Sequence, residues 1–247
     1  MRNKQEVRQG VWDELRKVAL PDSRFHFDFS SFIPDFEGSE KALARLVGLE
    51  IYRNARLLFV TPDECLVDFR ARCIRDGKTI IVSPYGIRRP LVILGKKDVP
   101  EGHGRFAACL DGLERFGRYT TLGEISQLEN LDLMVTGGSA VNLEGVRFGK
   151  GHGYFDLEWA MMREIGVVNE DTPVVIFVHD CQVIDEPIEP DPFDSVADII
   201  VTPTRTIMVK KRYPKPTGII WEKLDPHLVE EIPPLQELRE RRSKTTE

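Results

Sequence analysis

Cysteine is scarce in this sequence, and the cysteines that are present form no motif. The 247 residues include four cysteines, and no two of them stand in a Cys-x-x-Cys pair. Such pairs are typical of structural zinc sites and redox-active disulfides, so neither class is indicated. We expect buried free thiols and, because free thiols persist in reducing compartments, a cytoplasmic location.

Long apolar runs and an excess of positive charge are also missing. No stretch approaches the ~18 apolar residues that a membrane-spanning helix needs, and the opening residues Met-Arg-Asn-Lys-Gln-Glu have no apolar segment typical of a signal peptide. The formal net charge of −6 argues against binding nucleic acid or membranes by charge alone. We expect a monomer or weak homodimer without membrane or nucleic-acid partners.

The order of apolar segments predicts an α/β fold. Residues 174–178 and 199–201 are continuous β-branched runs, which are typical of strands buried on both faces. Because such runs alternate with helical patterns, we expect a single open, mostly parallel sheet with helices on both faces, a three-layer arrangement of the Rossmann type. Predicted helices cover 4–18, 39–49, 65–75 and 154 to about 165, and predicted strands cover 56–60, 80–83, 91–94, 131–136, 174–178, 199–201 and 206–210.

Two segments fall outside this regular alternation. Residues 20–37 are rich in proline, aspartate, serine and phenylalanine without a period, which indicates an excursion over the surface or a lid. Residues 226–247 are charged and are expected to trail as a helix or as disordered chain. We therefore predict one α/β domain over 1–225 followed by a charged C-terminal tail over 226–247.

The most informative segment is 145–156, Gly-Val-Arg-Phe-Gly-Lys-Gly-His-Gly-Tyr-Phe-Asp. Gly149, Gly151 and Gly153 alternate with other residues, and a chain without Cβ atoms lets several backbone N–H groups converge on an anion. A helix that begins near Tyr154 would direct its positive end the same way. The pattern indicates a phosphate-binding loop, although a glycine cluster between a strand and a helix is often only a tight turn.

Charged residues around the glycines favour the phosphate interpretation. Arg147 and Lys150 supply cationic donors for phosphate oxygens, and Asp156 supplies a hard oxygen ligand of the kind that Mg²⁺ prefers beside a polyphosphate. The glycine spacing matches neither Gly-x-Gly-x-x-Gly nor the Walker pattern, so no dinucleotide or P-loop assignment follows. The sequence predicts a nucleotide phosphate site of another type.

The segment resembles the Gly-x-Arg-x-Gly-x-Gly-x-Gly-Tyr-Tyr-Asp signature of the 5-formyltetrahydrofolate cyclo-ligase family, the methenyltetrahydrofolate synthetases. The match includes Gly145, Arg147, Gly149, Gly151, Gly153, Tyr154 and Asp156. Other elements follow in the family's order over roughly residues 1–205, and the runs at 147–162, 172–183 and 215–221 are similar to the methenyltetrahydrofolate synthetase domain-containing branch. The further matches are Lys4 and Arg8, Gly77-Lys78 with Pro84, residues 131–133 with Gly137, Gln182, Asp194, Asp198 and Val201-Thr202.

This resemblance implies an ATP- and Mg²⁺-dependent enzyme that converts 5-formyltetrahydrofolate, or a related formylated compound, to the 5,10-methenyl form with release of ADP and phosphate. The implied catalytic residues are Arg147, Lys150 and Tyr154; substrate would contact Glu64, Tyr154 and Phe155; and Asp156 and Asp194 would hold Mg²⁺. The implied ATP-binding residues are Lys4, Arg8, Arg147, Phe148, Gly149, Lys150, Gly151, His152, Gly153, Tyr154 and Asp156.

Several of these positions also have a structural interpretation. Lys4 and Arg8 could be solvated charges on a surface helix, Phe155 could belong to the core, and Asp194 could cap a turn. Phe155 replaces the family's second tyrosine, His152 stands where a stronger base is common, and Cys65 replaces an acid. These departures keep open an alternative function, a nucleotide- or folate-binding regulatory module without turnover.

Overall fold

A computed structural model describes residues 4–210 and 212–245 of the chain. The first half contains the helices α1 (Lys4–Leu15), α2 (Ser39–Gly48), α3 (Glu50–Asn54), α4 (Val67–Arg75), α5 (Gly104–Ala108), α6 (Leu110–Phe116) and α7 (Leu122–Ile125), and the strands β1 (Leu57–Val60), β2 (Thr79–Val82), β3 (Leu91–Leu94) and β4 (Arg118–Thr120). The second half contains the strands β5 (Leu133–Thr136), β6 (Ala140–Asn142), β7 (Arg147–Phe148), β8 (Val174–Phe177), β9 (Val183–Ile184), β10 (Ile199–Val201) and β11 (Thr206–Met208), and the helices α8 (Tyr154–Glu164), α9 (Pro226–Glu231) and α10 (Pro233–Thr245).

The main sheet has eight strands in the order β11-β10-β8-β5-β1-β2-β3-β4. The five central strands, from β10 to β2, are parallel to one another, and the strands at both margins are antiparallel. A small second sheet, β7-β6-β9, carries the start of the glycine-rich segment. The predicted open, mostly parallel α/β sheet is confirmed; the small sheet was not predicted.

Each face of the main sheet packs against its own layer of helices. Along β1, Leu58 and Val60 belong to one apolar cluster together with α2, α3 and α4, whereas Leu57 and Phe59 belong to the opposite cluster together with α8 and α10. Alternate residues of a strand point to opposite faces. The continuous apolar runs therefore fill both layers, and this confirms the predicted three-layer arrangement.

The segment expected to form a charged tail packs on the domain. Four residues of this segment are buried in the same apolar cluster as α8 and the sheet: Val229 of α9, Ile232 between the two helices, and Leu235 and Leu238 of α10. Their spacing of three residues places them on the same side of the helical segment. The charges seen in the sequence lie on the other face, so residues 226–245 add a layer to the core.

Segment 20–37 is short of regular structure but is attached to the domain. Phe29 and Phe32 are buried and form an apolar cluster with Leu15 of α1.

Two predicted helices have different bounds in the structure. The helix predicted over 4–18 ends at Leu15, and the helix predicted over 65–75 is a 3-10 turn at Glu64–Leu66 followed by α4. Within the parts of the chain that the structure describes, none of the helices has the length and apolar composition that a bilayer crossing requires.

Candidate functional site

A narrow cleft lies at the edge of the sheet where the parallel strands end. Thr61 follows β1, Ser83 follows β2 and Gly137 follows β5, and all three residues line the cleft, whose volume is about 70 Å³. The glycine-rich loop and the start of α8 form the opposite wall. Ligands of open α/β sheets bind at the carboxyl ends of the strands, so this is the expected position of a ligand site.

The glycine-rich loop, residues 149–153, presents its main chain to solvent. Gly151 and Gly153 have φ angles of 113° and 68°, where a side chain would strain the backbone. Among the described residues, none accepts a hydrogen bond from the backbone N–H groups of 149–153. α8 begins immediately after Gly153, so further unpaired N–H groups follow. Such a run of free donors is the arrangement that binds phosphate.

Arg147 lies behind the loop with only 4% of its side chain exposed. Its Nη1 lies 3.3 Å from both Asp156 Oδ1 and Ser195 Oγ, and its guanidinium lies 4.8 Å from the centre of the Phe155 ring. Its Nε is buried without an acceptor among the described residues. Arg147 is therefore partly neutralised by Asp156, and its buried Nε has an unused donor among the described residues.

The two predicted metal ligands already have protein partners. Asp156 Oδ1 accepts hydrogen bonds from the Ser195 amide and hydroxyl, at 2.9 and 2.6 Å, while Oδ2 faces Gly153. Asp194 Oδ2 lies 2.5 Å from the ammonium of Lys4 and 2.8 Å from the Asp191 amide. No group of three metal-ligating side chains occurs within 4–210 and 212–245. Asp156 Oδ2 fits one position on a magnesium ion, whereas Asp194 would first have to lose Lys4.

Positive charge at the loop comes from Arg8 and Lys150. Arg8 donates from Nε to the Gly149 carbonyl at 2.9 Å, and Lys150 Nζ lies 3.3 Å from the Ser31 carbonyl and 5.3 Å from the centre of the Tyr85 ring. Neither pairs with a carboxylate in the part of the chain that the structure describes. By contrast, Lys4 also contacts Asp191, at 2.7 Å. Within the described residues, the cations at the loop that lack a carboxylate partner are therefore Arg8, on α1, and Lys150, in the loop itself.

The remaining predicted residues divide between the cleft and other places. Tyr154 and Phe155 line the cleft, and His152 stacks on Tyr154 with the ring centres 5.3 Å apart. Phe148 is buried with α1 in a separate apolar cluster. Glu64 faces a different crevice, which it shares with Asp35 and Arg105, and Cys65 is buried against the Phe177 carbonyl.

The cleft also contains polar residues that were not predicted as site residues from the sequence, among them Asp63, Ser83 and Glu158. Asp63 Oδ2 accepts a hydrogen bond from the Gly137 amide at 2.9 Å, next to the place where β5 ends. Glu158 lies on the helix face that buries Phe155 and Trp159. An acidic residue on an otherwise apolar helix stripe is a signal that could have identified Glu158, since acids are rarely buried unless they are paired.

Segment 20–37 lies against one side of the cleft. Ile33 lines the cleft, and the Ser31 carbonyl accepts hydrogen bonds from the Tyr85 hydroxyl, at 2.7 Å, and from Lys150. Phe25 stacks on Tyr85 with the ring centres 5.2 Å apart. We call these contacts of Ser31 the latch. These contacts fix segment 20–37 beside the cleft.

We expect Tyr85→Phe to loosen segment 20–37. The change removes one hydrogen bond to Ser31, so amide hydrogen exchange of residues 29–33 should accelerate by about two- to tenfold, the range that one neutral hydrogen bond supports. Tyr119→Phe is a matched control, because both tyrosines are 41% exposed and Tyr119 lies on β4 at the far margin of the sheet. Equal exchange rates in the Tyr85 variant and the native protein would contradict the latch.

A second hollow, of about 230 Å³, adjoins the loop on its other side. It shares His152, Gly153 and Asp156 with the cleft. Its other walls are mostly apolar. They contain Leu157 and Ala160 of α8, Phe193, and four residues of the C-terminal segment: Ile219, Ile220, Leu224 and Leu228. The loop therefore separates a polar cleft from an apolar hollow.

Comparisons with known proteins agree with the resemblance carried by the glycine-rich loop. The chain is 37% identical over 244 residues to a methenyltetrahydrofolate synthase domain-containing protein of Mus musculus, covering 97% of this chain and 64% of that protein. The Homo sapiens protein of the same name is 36% identical, with 97% of this chain and 62% of that protein covered. The chain thus spans less than two thirds of the length of these relatives.

The fold has a counterpart among solved structures. A 5,10-methenyltetrahydrofolate synthetase of Aquifex aeolicus superposes with a TM-score of 0.53 at 17% identity, over 85% of this chain and 94% of that one. At this identity the likeness concerns the fold alone. The family model for the 5-formyltetrahydrofolate cyclo-ligases matches residues 1–203, and with the geometry of the loop and the identity to these relatives it establishes that the chain belongs to the 5-formyltetrahydrofolate cyclo-ligase family.

Proposed function

We propose that the protein is an ATP- and Mg²⁺-dependent ligase that converts 5-formyltetrahydrofolate to 5,10-methenyltetrahydrofolate with release of ADP and phosphate. The observation that carries this proposal is the loop at 149–153, whose backbone N–H groups have no acceptor among the described residues. Four residues of the loop line the cleft at the strand ends, and Arg8 and Lys150 lie at the loop without a carboxylate partner in the described chain. Donors and cations preorganised around a transferring phosphoryl group are the main catalytic device in such reactions.

The reaction needs charge neutralisation and positioning more than an activated nucleophile. The formyl oxygen attacks the γ-phosphorus, ADP leaves, and a neighbouring nitrogen then closes on the formyl carbon, loses its proton and expels phosphate. Lys150 and Arg8 would offset the charge on the transferring group, and the loop amides would hold it. Tyr154 and Phe155 would flank the formyl-bearing ring from the opposite wall of the cleft.

Further assignments for ATP follow from the two cavities. The adenine ring is proposed to lie in the apolar hollow, since that hollow meets the cleft at His152 and Gly153. Magnesium, when bound, would neutralise phosphate oxygens, with Asp156 Oδ2 as its protein ligand; Mg²⁺ commonly uses one or two carboxylates and otherwise phosphate and water. Lys4 and Asp194 are then a structural ion pair that anchors α1 beside the site.

The test is direct turnover. We expect purified, folded protein supplied with 5-formyltetrahydrofolate and Mg-ATP to produce the absorbance of the methenyl product, and a chelator to abolish the signal. Omission of ATP is the matched control. Folded protein that binds ATP by calorimetry but forms no product would refute the ligase proposal. Such a result would support the alternative of a binding module, which the missing hydroxyl at Phe155 favours.

A further inference from the structure

A groove lies at the edge of the main sheet where the parallel strands begin, opposite to the edge that carries the cleft. Its lining includes Leu57 at the start of β1, Thr79 at the start of β2 and Arg118 at the start of β4. Its volume is about 870 Å³, and among the described residues it has no lining residue in common with the cleft. We call it the basic groove, because its rim contains Arg56, Lys96 and Arg118.

The floor of the basic groove is apolar. Leu57 of β1 lies opposite Thr79 of β2 in the register of the sheet. Ile93 of β3 lies opposite Ile81, two residues after Thr79, so these side chains share one face. This is the face that α8 and α10 cover elsewhere on the sheet. Here Ile93 is only half-buried, and Leu128, between α7 and β5, is 39% exposed. The helices therefore leave aliphatic side chains open to solvent at this margin.

The cations at the rim are available to a partner. Arg56 and Lys96 are exposed and have no carboxylate partner in the part of the chain that the structure describes. Arg118 lies 3.5 Å from Glu124, but both side chains are more than half exposed. Exposed pairs of this kind contribute little, so Arg118 can exchange this acid for another.

Two acids also lie at the rim, Asp98 and Glu129. Asp98 Oδ2 accepts a hydrogen bond from the Gly95 amide at 2.8 Å, so this carboxylate is used within its own turn. Cations outnumber acids at the rim, whereas the formal net charge of the whole chain is −6. A local reversal of the protein's sign favours a partner segment of negative charge.

We propose that the basic groove docks an extended segment of a partner protein in which acidic and apolar residues alternate. Successive side chains of an extended chain point to opposite sides, so every second side chain can enter the floor. The acidic side chains between them then lie at the level of the rim, within reach of its cations. Apolar surface bounded by polar residues is typical of a protein interaction site, and clusters of cations are a known means of recognising acidic motifs.

A nucleic acid fits the basic groove less well than a peptide does. Single-stranded nucleic acids bind where their bases stack on aromatic rings, and none of the described residues that line the groove is aromatic. Asp98 and Glu129 would also repel a backbone that carries a charge on every nucleotide. A peptide can instead place its acids beside the cations alone.

The experiment measures fluorescence anisotropy of a labelled synthetic peptide, Glu-Leu-Glu-Leu-Glu-Leu-Glu, with the full chain. We expect a dissociation constant of about 1–100 µM, as for a small transient interface, and weaker binding at high salt. The double variant Arg56→Glu with Lys96→Glu should bind at least about tenfold more weakly, because attraction becomes repulsion at two positions. Leu128→Ser should bind about three- to tenfold more weakly, because part of the floor is lost.

Each variant has a matched control. The double variant Lys41→Glu with Lys210→Glu changes the net charge equally at two exposed positions outside the groove, so its affinity should stay within about twofold of the native value. Leu143→Ser is the control for the floor, because Leu143 is 43% exposed and does not line the groove. Thermal midpoints equal to that of the native protein separate a loss of binding from a loss of folding.

The inference is overturned if the native protein does not bind the peptide at concentrations up to about 1 mM, or if both double variants bind it equally well. Tighter binding of a labelled oligouridylate than of the peptide, abolished by Arg56→Glu with Lys96→Glu, would assign the groove to nucleic acid. Self-association of the native protein that the same variant loses, measured by sedimentation, would assign it to a second copy of the chain. Either result overturns the peptide proposal and leaves the proposed ligase function untouched, because the cleft lies elsewhere.

Discussion

Replacement of Lys150 by methionine is expected to lower kcat/KM for ATP by about 100- to 1000-fold, the effect of removing one preorganised donor from a developing charge. Methionine resembles the apolar stem of lysine and lacks the ammonium group with its charge and donors. Lys150 is the loop's own cation, and within the described residues its ammonium contacts a carbonyl and an aromatic ring but no carboxylate. Its full charge is therefore available to the transferring phosphoryl group. Steady-state rates of methenyl formation at varied ATP measure the effect.

Lys97→Met provides the matched control for this variant. Lys97 is exposed on a 3-10 turn after β3 and does not line the cleft. We expect its activity to stay within twofold of the native value, because isolated surface charges contribute little. A Lys150→Met protein with native kcat/KM, a native melting curve and native folate affinity would show that the loop does not act through this cation.

Leu235→Ala is expected to lower the free energy of unfolding by about 2–5 kcal/mol, the range for a large-to-small change in a packed core. Leu235 lies on α10, is fully buried, and belongs to the cluster that includes Trp159 of α8. A residue in a trailing tail would contribute almost nothing. Denaturant unfolding followed by circular dichroism measures the loss.

Met208→Ala tests whether that loss depends on burial. Met208 is 68% exposed on β11, so the same type of truncation should change the free energy of unfolding by less than about 0.5 kcal/mol. If Leu235→Ala were equally mild, the packing of α10 against the domain would not contribute to stability. Residues 226–245 would then form a separate unit, as the boundary at 225 implied.

The main sheet was predictable because its strands are fully buried. The runs at 174–178 and 199–201 correspond to β8 and β10, and their continuous β-branched composition has few other structural explanations. The three-strand sheet was missed because β6, β7 and β9 have only two or three residues each, too few to show a period. The C-terminal segment is helical, one of the two predicted alternatives, but its packing on the domain was not predicted because the apolar stripe of α10 is narrow and lies among many charges.

The candidate site was predicted unevenly. The loop residues from Arg147 to Asp156 are local in sequence, and the structure places most of them around one cleft. Their roles in binding ATP and magnesium stay predictions. Glu64 lies in a separate crevice, while its neighbour Asp63 lines the cleft. Consecutive side chains just after a strand point in different directions, and only packing decides which one meets the ligand.

The sequence alone indicated the family, the order of the buried strands and a glycine loop that can hold phosphate. Each of these features is recorded in residues that are neighbours in the sequence. The tertiary structure decided which charges remain available. Lys4 meets Asp194 across 190 residues, whereas Lys150 meets no acid in the described chain. It also decided that Glu158 is buried beside the cleft, where burial raises the pKa of its carboxyl group to about 8. Such properties depend on burial and on partners distant in sequence, which no local pattern records.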